Sequence, residues 1–292
     1  HGAEEHSAHG TNTPTAEAGH AKTEKHAHWS HDKKGAEGPA HWGAHSPGEI
    51  AVKGIRQSPI NILSKSAITS PGLSAIGFHY GNTEFTIQNN GHTIQVDCPE
   101  MSNTISVGGH NYGLLQFHFH ARSEHLIDGK PYPMELHFVH ILSGSTGGPT
   151  DKSAAKLAVV GVMIEEGPPN PLIDKLWEKL PAKSEKASFT GPGMNFDILL
   201  PPLGKRSFFR YYGSLTTPPC TENVLWSVME KPIHLSKEQI DKFTKLYKDN
   251  YRPDQKVNQR FILRYNDGQA SSIAPVTPSV APVFRGLPGA IK

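Results

Sequence analysis

This sequence has few cysteines, a small net charge and no long apolar run. Its two cysteines, Cys98 and Cys220, belong to no CxxC pair and to no cysteine-based zinc motif. The longest apolar run, LAVVGVMI at residues 157–164, has the length of a buried strand and is far short of the roughly 20 residues of a membrane-spanning helix. A net charge of +2 over 292 residues gives no basis for nucleic-acid or membrane-surface binding. We therefore expect a globular protein that neither spans a membrane nor binds nucleic acid.

The two ends of the chain differ in composition from its middle. Residues 1–27 contain almost no large apolar residue, so we expect a flexible leader. Its histidines could bind metal ions weakly, buffer protons, or have no specific role. With the border residue His28, they are His1, His6, His9, His20 and His26. Residues 266–292 are rich in Pro, Ala and Ser and are expected to form an extended tail.

The chain begins at His1 without Met and without an apolar signal segment. We expect this start either after removal of a signal peptide or after trimming of the sequence.

Residues 28–265 have the pattern of one sheet-dominated domain with peripheral helices. Short runs rich in β-branched and aromatic residues are separated by turn sequences such as NNGH and IDGKPYP. Two helices are predicted, PLIDKLWEKL and SKEQIDKFTKLYKD, the second with Ser236 as N-cap and Glu238 in its first turn. The predicted strands are EFTIQ, HTIQVDC, LLQFHFH, ELHFVHIL, LAVVGVMI, VLWSVME and RFILRY.

The stretch QFHFHARSEH, at residues 116–125, concentrates histidines on one predicted strand. Because side chains alternate between the two faces of a strand, His118 and His120 share one face and the phenylalanines point to the other. An antiparallel return through the following Asp-Gly turn would place His137 of the next strand beside them. Three neutral imidazoles from two strands suit zinc with an open fourth position, which indicates a catalytic rather than a structural site.

Two further residues on these strands could orient the histidines. Gln116 and Glu135 lie one pleat from a proposed ligand. Each could accept a hydrogen bond from the ring N–H of a histidine whose other ring nitrogen binds the metal. A His-rich strand that faces solvent is the alternative that spacing leaves open. His140 is out of phase with His137, and His125 lies just past the first strand, so we interpret both as structural.

Several motifs together resemble those of α-class carbonic anhydrases of the kind found outside the bacterial cytoplasm. They occur in the family's order over roughly residues 28–265 and are RQSPINI, NNGH, QFHFH, SEH, ELHFVH and SLTTPPCTENVLW. The resemblance implies that His118, His120 and His137 bind one Zn²⁺, with Gln116 and Glu135 as hydrogen-bond acceptors behind them.

The activity that this resemblance implies is the reversible hydration of carbon dioxide to bicarbonate and a proton by zinc-bound hydroxide. Zinc lowers the pKa of a bound water, a property for which carbonic anhydrases are themselves the reference example. The resemblance also implies hydrolysis of activated esters and inhibition by sulfonamides and anions.

Further roles around the metal are implied in the same way. Thr216 would accept a hydrogen bond from the hydroxide while donating its own to Glu124, and Thr217 would help to order water or bicarbonate. His92 resembles the family's proton shuttle, with Asn90 and Gln95 beside the connecting waters. The residues that resemble the apolar wall for carbon dioxide are Val139, Val159, Leu215, Val224 and Trp226.

The sequence departs from the family pattern at two places. His31 stands where the family usually has a tyrosine whose hydroxyl contacts the proton-carrying waters, so His31 could accept protons, perturb the water path or point elsewhere. Secreted relatives often bridge a cysteine before QSPI to one in the TTPP loop. Cys220 fits the second position but no cysteine fills the first, which leaves Cys98 free, paired with Cys220, or cross-linking two subunits.

These observations lead to one expected function and two alternatives. We expect a periplasmic or secreted zinc enzyme of the mainly β (α+β) class, a single domain with a central, mostly antiparallel, twisted sheet of about ten strands. Its expected partners are carbon dioxide and bicarbonate, and a homodimer is left open. The rivals are a non-enzymatic binding or interaction module on the same fold, and a periplasmic metal-handling protein suggested by the His-rich leader. The complete histidine triad and the Thr216–Glu124 pair count against the first rival.

Overall fold

The computed structural model describes residues 28–44, 49–145, 155–178, 180–181 and 186–269. The predicted leader, and the predicted tail beyond residue 269, lie outside the described residues. Within them the helices are α1 (Ile50–Lys53), α2 (Pro171–Glu178) and α3 (Lys237–Thr244), with 3₁₀ turns at Pro39–Ala44, Ser64–Ser66, Phe196–Leu199 and Asp267–Gln269. No helix in this part of the chain is long and apolar enough to cross a bilayer.

Strands make up most of the described fold. In chain order they are β1 (Asn61–Ile62), β2 (Ile68–Thr69), β3 (Gly77–His79), β4 (Asn82–Asn89), β5 (Ile94–Asp97), β6 (Thr104–Val107), β7 (His110–Ala121), β8 (Leu126–Ile127), β9 (Met134–Leu142), β10 (Leu157–Glu166), β11 (Lys186–Asn195), β12 (Phe208–Gly213), β13 (Val224–Met229), β14 (Ile233–Leu235) and β15 (Leu263–Tyr265).

One sheet contains 13 of the described strands. Ten of them follow one another in the order β11-β4-β5-β7-β9-β10-β13-β12-β15-β2, and β3, β6 and β14 pair beside this path. Most neighbours are antiparallel, but β10 runs parallel to β13 and β14, and β15 runs parallel to β2. The predicted fold class is confirmed, and the parallel neighbours of β10 make the sheet mixed.

The predicted runs account for seven of the 15 described strands, and the two predicted helices for α2 and α3. The seven predicted runs overlap β4, β5, β7, β9, β10, β13 and β15. Helix α3 begins after Ser236, whose hydroxyl accepts the backbone N–H of Gln239 while the Gln239 side chain accepts the N–H of Ser236. The other eight described strands were not among the predicted runs, and they include β12, formed by the aromatic-rich FFRYYG.

The sheet has an apolar cluster on each face, which explains why β10 reads as an unbroken apolar run. Ala158, Val160 and Val162 of β10 pack in the larger cluster, whereas Val159 packs in the smaller cluster on the opposite face. A strand buried on both faces needs apolar residues at every position. The smaller cluster lies on the side of the sheet that carries the candidate site.

The two cysteines are free thiols in the interior. Cys98 is 2% exposed and Cys220 is 0% exposed. Burial raises the pKa of Cys98 to about 12 and that of Cys220 to about 11, so both thiols stay protonated at neutral pH. Of the three alternatives for Cys98, the structure favours the free thiol. It contradicts the bridge to Cys220, and burial leaves no surface for a cross-link between subunits.

Candidate active site and metal centre

The antiparallel register of β7 and β9 brings three histidines together. His118 lies directly opposite His137, and His120 lies two residues further along β7. One ring nitrogen from each of these residues falls within 4.8 Å of those of the other two. The adjacent phenylalanines, Phe117 and Phe119, are fully buried in the larger cluster on the other face. Strand alternation therefore separates the packing face from the histidine face, as the sequence predicts.

Hydrogen bonds orient two of the three imidazoles through the acceptors that the sequence predicts. Gln116 Oε1 lies 2.8 Å from His118 Nδ1, and Glu135 Oε1 lies 2.8 Å from His137 Nε2. These contacts fix which nitrogen of each ring remains for a metal: Nε2 of His118 and Nδ1 of His137.

The third imidazole has an acceptor that sequence reasoning missed. His120 Nδ1 lies 2.7 Å from the backbone carbonyl of Asn250, 130 residues further along the chain. The Asn250 side chain reinforces this contact, because it accepts the N–H of Ala121 and donates to the carbonyls of His92 and Phe119. A backbone carbonyl leaves no residue-type signal, so the sequence offered nothing that could have located it.

The three histidines fit a zinc ion. His120 Nε2 is buried and makes no hydrogen bond to the described protein, so a polar occupant is needed in front of it. Burial lowers the pKa of His120 to about 4 and also lowers the pKa of His137, which keeps both rings neutral. Three neutral imidazole nitrogens suit zinc, whereas calcium and magnesium prefer oxygen ligands.

Behind His137, the carboxylate of Glu135 is saturated with hydrogen bonds. Its Oε2 accepts the backbone N–H groups of Glu124 and His125 at 2.8 Å each, and its Oε1 lies 2.7 Å from His125 Nδ1. Burial opposes ionisation of Glu135, but His125 and His137 outweigh it and hold its pKa well below the usual value. The other nitrogen of His125 contacts the Tyr211 hydroxyl at 2.7 Å. His125 thus lies inside a supporting network, consistent with its interpretation as structural.

The carboxylate of Glu124 lies close to two of the same histidines, His120 and His137. Its Oε1 accepts the backbone N–H of Arg252 at 2.8 Å, and its Oε2 lies 3.8 Å from His137 Nδ1. Burial raises the pKa of Glu124 to about 7, while His137, the Arg252 N–H and the Thr216 hydroxyl favour the ionised form. The predicted Thr216–Glu124 pair is therefore adjacent in the structure, and Arg252 is a partner that sequence reasoning missed.

The predicted apolar wall lies beside the metal position. The Trp226 ring centroid is 4.8 Å from that of His137. Leu215 is partly buried against the smaller apolar cluster, in which the other wall residues are buried: Val139, Val159, Val224 and Trp226. Thr217 is partly buried in the loop beside Leu215, and its carbonyl accepts the N–H of Cys220 at 2.9 Å. A nonpolar molecule would meet carbon atoms on this side.

His92 lies on a turn towards the outside of the site. Its ring stacks on Trp29 with 3.8 Å between centroids and 8° between planes. The Asn90 side chain accepts the backbone N–H of His92 at 2.9 Å and donates to Gln95 at 3.5 Å. Gln95 is opposite His118 in the β5–β7 register. The predicted proton-path residues thus connect the turn with the metal-ligand strand.

His31 points into the site. Its ring centroid is 6.4 Å from that of His92 and 6.4 Å from that of His120. Burial, with smaller contributions from His120, His92 and Lys33, lowers the pKa of His31 to about 3. Of the three alternatives for this residue, the geometry contradicts the one in which it points elsewhere.

The family model for eukaryotic-type carbonic anhydrases matches residues 37–266. The chain belongs to the carbonic anhydrase family. A carbonic anhydrase of Klebsiella pneumoniae is 38% identical over 240 residues, which cover 81% of this chain and 91% of that protein. Human carbonic anhydrase 7 is 39% identical over 253 residues, covering 77% and 93%.

Solved carbonic anhydrase structures share the fold. The α-carbonic anhydrase of Thermovibrio ammonificans, solved with the inhibitor sulfanilamide, superposes with a TM-score of 0.73 at 38% identity and covers 81% of this chain and 99% of that one. A hyperthermostable carbonic anhydrase from a hydrothermal vent chimney gives a TM-score of 0.71 at 44% identity over the same shares. Membership of this family identifies the chain as an enzyme of the carbonic anhydrase type.

Proposed function

We propose that this carbonic anhydrase hydrates carbon dioxide reversibly to bicarbonate and a proton, with one Zn²⁺ held by His118, His120 and His137. The observation that carries the proposal is the convergence of three ring nitrogens within 4.8 Å, with an acceptor behind each ring. When bound, zinc would act as a Lewis acid and lower the pKa of a coordinated water towards neutral pH, the property best known from this family.

The chain's own residues would orient the reactants around the open metal position. If Thr216 donates its proton to the Glu124 carboxylate, the Thr216 oxygen can only accept a hydrogen bond from the metal side. This arrangement selects a protonated oxygen as its partner. Thr217 would help to order water or bicarbonate, and the apolar wall would hold carbon dioxide, which offers few hydrogen bonds.

A proton must leave the site in every hydration cycle. Of the proposed ligands, His120 and His137 are buried and His118 is partly buried, so we propose that His92 carries this proton to solvent. His92 is only partly buried and is placed on a turn, where its ring can contact both the site and bulk buffer. Asn90 and Gln95 would bind the waters in between.

Inhibition by sulfonamides and anions belongs to the same proposal, because such ligands would take the open metal position. The relative from Thermovibrio ammonificans was solved with sulfanilamide, which supports this expectation. We also propose a periplasmic or secreted location on the resemblance of the motifs alone, and cell fractionation would test it. The homodimer stays a prediction, for which light scattering on the purified chain is the measurement.

The first experiment is the stopped-flow rate of carbon dioxide hydration by the purified chain containing one zinc. We expect a rate far above the uncatalysed reaction, abolished by a metal chelator and restored by zinc. A background rate from folded protein with its zinc in place would contradict the proposal and favour the binding module on the same fold.

A further inference from the structure

Arg210 lies in the middle of β12, on the face of the sheet opposite the candidate site. Strand alternation places it with Phe208, which packs in the larger apolar cluster, whereas Phe209 and Tyr211 pack in the smaller cluster beside the candidate site. Arg210 is only 8% exposed. Burial lowers its pKa to about 10, so the guanidinium still carries its positive charge at neutral pH.

The guanidinium of Arg210 is held in place but is not fully paired. Its Nε donates to Ser227 Oγ at 3.0 Å, and its Cζ lies 4.8 Å from the centroid of the Phe208 ring. Its Nη2 is buried and makes no hydrogen bond to the described protein. Three other arginines among the described residues pair with a carboxylate, but Arg210 does not.

The second buried arginine of the fold, Arg252, is paired much more completely. Its Nη1 and Nη2 donate to the Gln57 side chain and to the carbonyls of Ser58 and Ala51 at 2.8–3.2 Å. Burial lowers the pKa of Arg252, and the carboxylate of Glu124 is among the groups that oppose this effect. A buried charge is costly unless it is both hydrogen-bonded and balanced, and Arg210 has neither a complete set of acceptors nor a carboxylate nearby.

Two tyrosines lie near the guanidinium of Arg210. Tyr212 and Tyr112 are the groups that oppose the effect of burial on its pKa. Burial raises the pKa of Tyr112 and outweighs the opposite effect of Arg210, so this phenol stays protonated at neutral pH. It can donate a hydrogen bond but cannot serve as a counter-ion. Tyr212 is 65% exposed, so the cluster lies at the margin of the core, within reach of a small solute.

We propose that Arg210 and Tyr112 form a binding site for a small monovalent anion, either chloride or bicarbonate, beside the exposed Tyr212. The anion would accept hydrogen bonds from Arg210 Nη2 and from the Tyr112 hydroxyl. It would also balance the buried charge, which a water molecule cannot do. Because the site lies on the opposite face of the sheet, it is separate from the proposed metal centre and does not depend on the proposed function.

The direct test is diffraction from crystals of the zinc-containing protein soaked in bromide, whose anomalous scattering locates it. We expect bromide within hydrogen-bond distance of Arg210 Nη2. It should be absent from Arg210→Met, which keeps an unbranched side chain and removes the charge. A carboxylate of the chain bonded to Nη2, or water alone beside it, would overturn the inference.

Thermal unfolding of the zinc-containing protein tests the site in solution. Chloride replaces gluconate, an anion too large for the site, at constant ionic strength. An anion at ten times its Kd that binds only the folded chain shifts the folding equilibrium about elevenfold, or about 3–6 °C in the unfolding midpoint of a chain of this size. We expect this rise in the wild type and in Arg264→Met, whose guanidinium pairs with Glu230, but not in Arg210→Met.

Anions that bind elsewhere, including at the metal, act equally on the wild type and the variants, so the difference between them reports Arg210. Equal responses of the wild type and Arg210→Met would overturn the inference, as would bromide in the crystal without an Arg210-dependent response in solution. If Arg210→Met does not fold, Tyr112→Phe replaces it and should raise the Kd for chloride about tenfold, the loss of one hydrogen bond to a charged acceptor. An unchanged Kd in that variant would equally contradict the site.

The same titration with bicarbonate identifies the ligand. A lower Kd for bicarbonate than for chloride would assign the site to bicarbonate, and a higher one would assign it to chloride. Neither diffraction nor unfolding requires turnover, so an enzyme without carbon dioxide hydration activity would refute the proposed function and leave the test of the anion site intact.

Discussion

The proposed metal-ligand region and the proposed proton-path region of this site are built in different ways. His118, His120 and His137 lie on two paired strands, and each ring is fixed by an acceptor at 2.7–2.8 Å. His92 lies on a turn, where its ring stacks on Trp29 of the N-terminal segment. Rigid strands suit groups that must hold a metal, whereas a partly exposed ring suits a group that exchanges protons with solvent. Because of this difference, loss of a strand histidine should remove the activity, whereas loss of the turn histidine should only slow it.

The largest effect is expected from His118→Ala, which removes one of the proposed zinc ligands on β7. Removal of one of three ligands should abolish carbon dioxide hydration and zinc retention, well beyond the roughly 10–100-fold loss of metal affinity expected when only a supporting partner is removed. Zinc content after dialysis and the stopped-flow rate are the two measurements. His79→Ala is the control, and retained turnover with stoichiometric zinc would disprove the ligand assignment.

The next effect concerns the group that faces the open metal position. Thr216→Val keeps the shape of the side chain and removes the hydroxyl, so we expect kcat/KM to fall by about 100-fold with zinc still bound. The rate and the zinc content are measured on the same sample. A decrease of less than about threefold would show that the Thr216–Glu124 pair does not orient the reacting oxygen.

A third histidine environment lies on the opposite face of β9, where the buried His140 has a packing role. Burial lowers the pKa of His140 from 6.5 to about 4, and its ring contacts the Ala158 carbonyl and the Tyr80 hydroxyl. The folded state therefore favours neutral His140. The contribution of neutral His140 to the free energy of unfolding is about 3 kcal/mol. It is fully present above about pH 6.5 and is lost as the pH falls towards 4.

Urea unfolding of the zinc-free protein between pH 7 and pH 4 tests this contribution. The free energy of unfolding should fall less steeply with decreasing pH in His140→Asn than in the wild type, because asparagine does not titrate and can still donate to the Ala158 carbonyl. Identical slopes for the two proteins would assign the acid sensitivity to other groups.

A smaller effect is expected on the proton-path side. His92→Ala should lower kcat about tenfold in dilute buffer, and added imidazole should restore it, because only proton release is slowed. The kcat is measured as a function of buffer concentration. If the variant and the wild type respond identically to buffer, the shuttle lies elsewhere and His31 becomes the first residue to test.

Deletion of residues 1–27 should have the smallest effect. A carbonic anhydrase should keep one tightly bound zinc and its rate, whereas a metal-handling protein should lose most of its metal capacity. Zinc titration and the rate in dilute buffer distinguish the two, and a slower rate in dilute buffer alone would indicate that the leader supplies protons to the site.

Much of the site could be predicted from strand periodicity. Alternation along β7 and β9 is a local property, so it placed His118, His120 and His137 on one face, with the phenylalanines on the other. The same alternation identified Gln116 and Glu135, because each is only two residues along the chain from the histidine whose ring N–H it accepts. The Ser236 cap of α3 was predictable for the same reason, because capping depends on adjacent residues.

Other features depended on contacts between residues far apart in the chain. The Asn250 carbonyl meets His120 across 130 residues, and the Arg252 N–H meets Glu124 across 128. The orientation of His31 and the separate burial of the two thiols likewise follow from packing. Which residues share a strand face could be read from the local sequence, because the pleat of a strand fixes it. The backbone groups that complete the site and the direction in which His31 points could be read only from the folded chain, because both result from the packing of distant segments around one core.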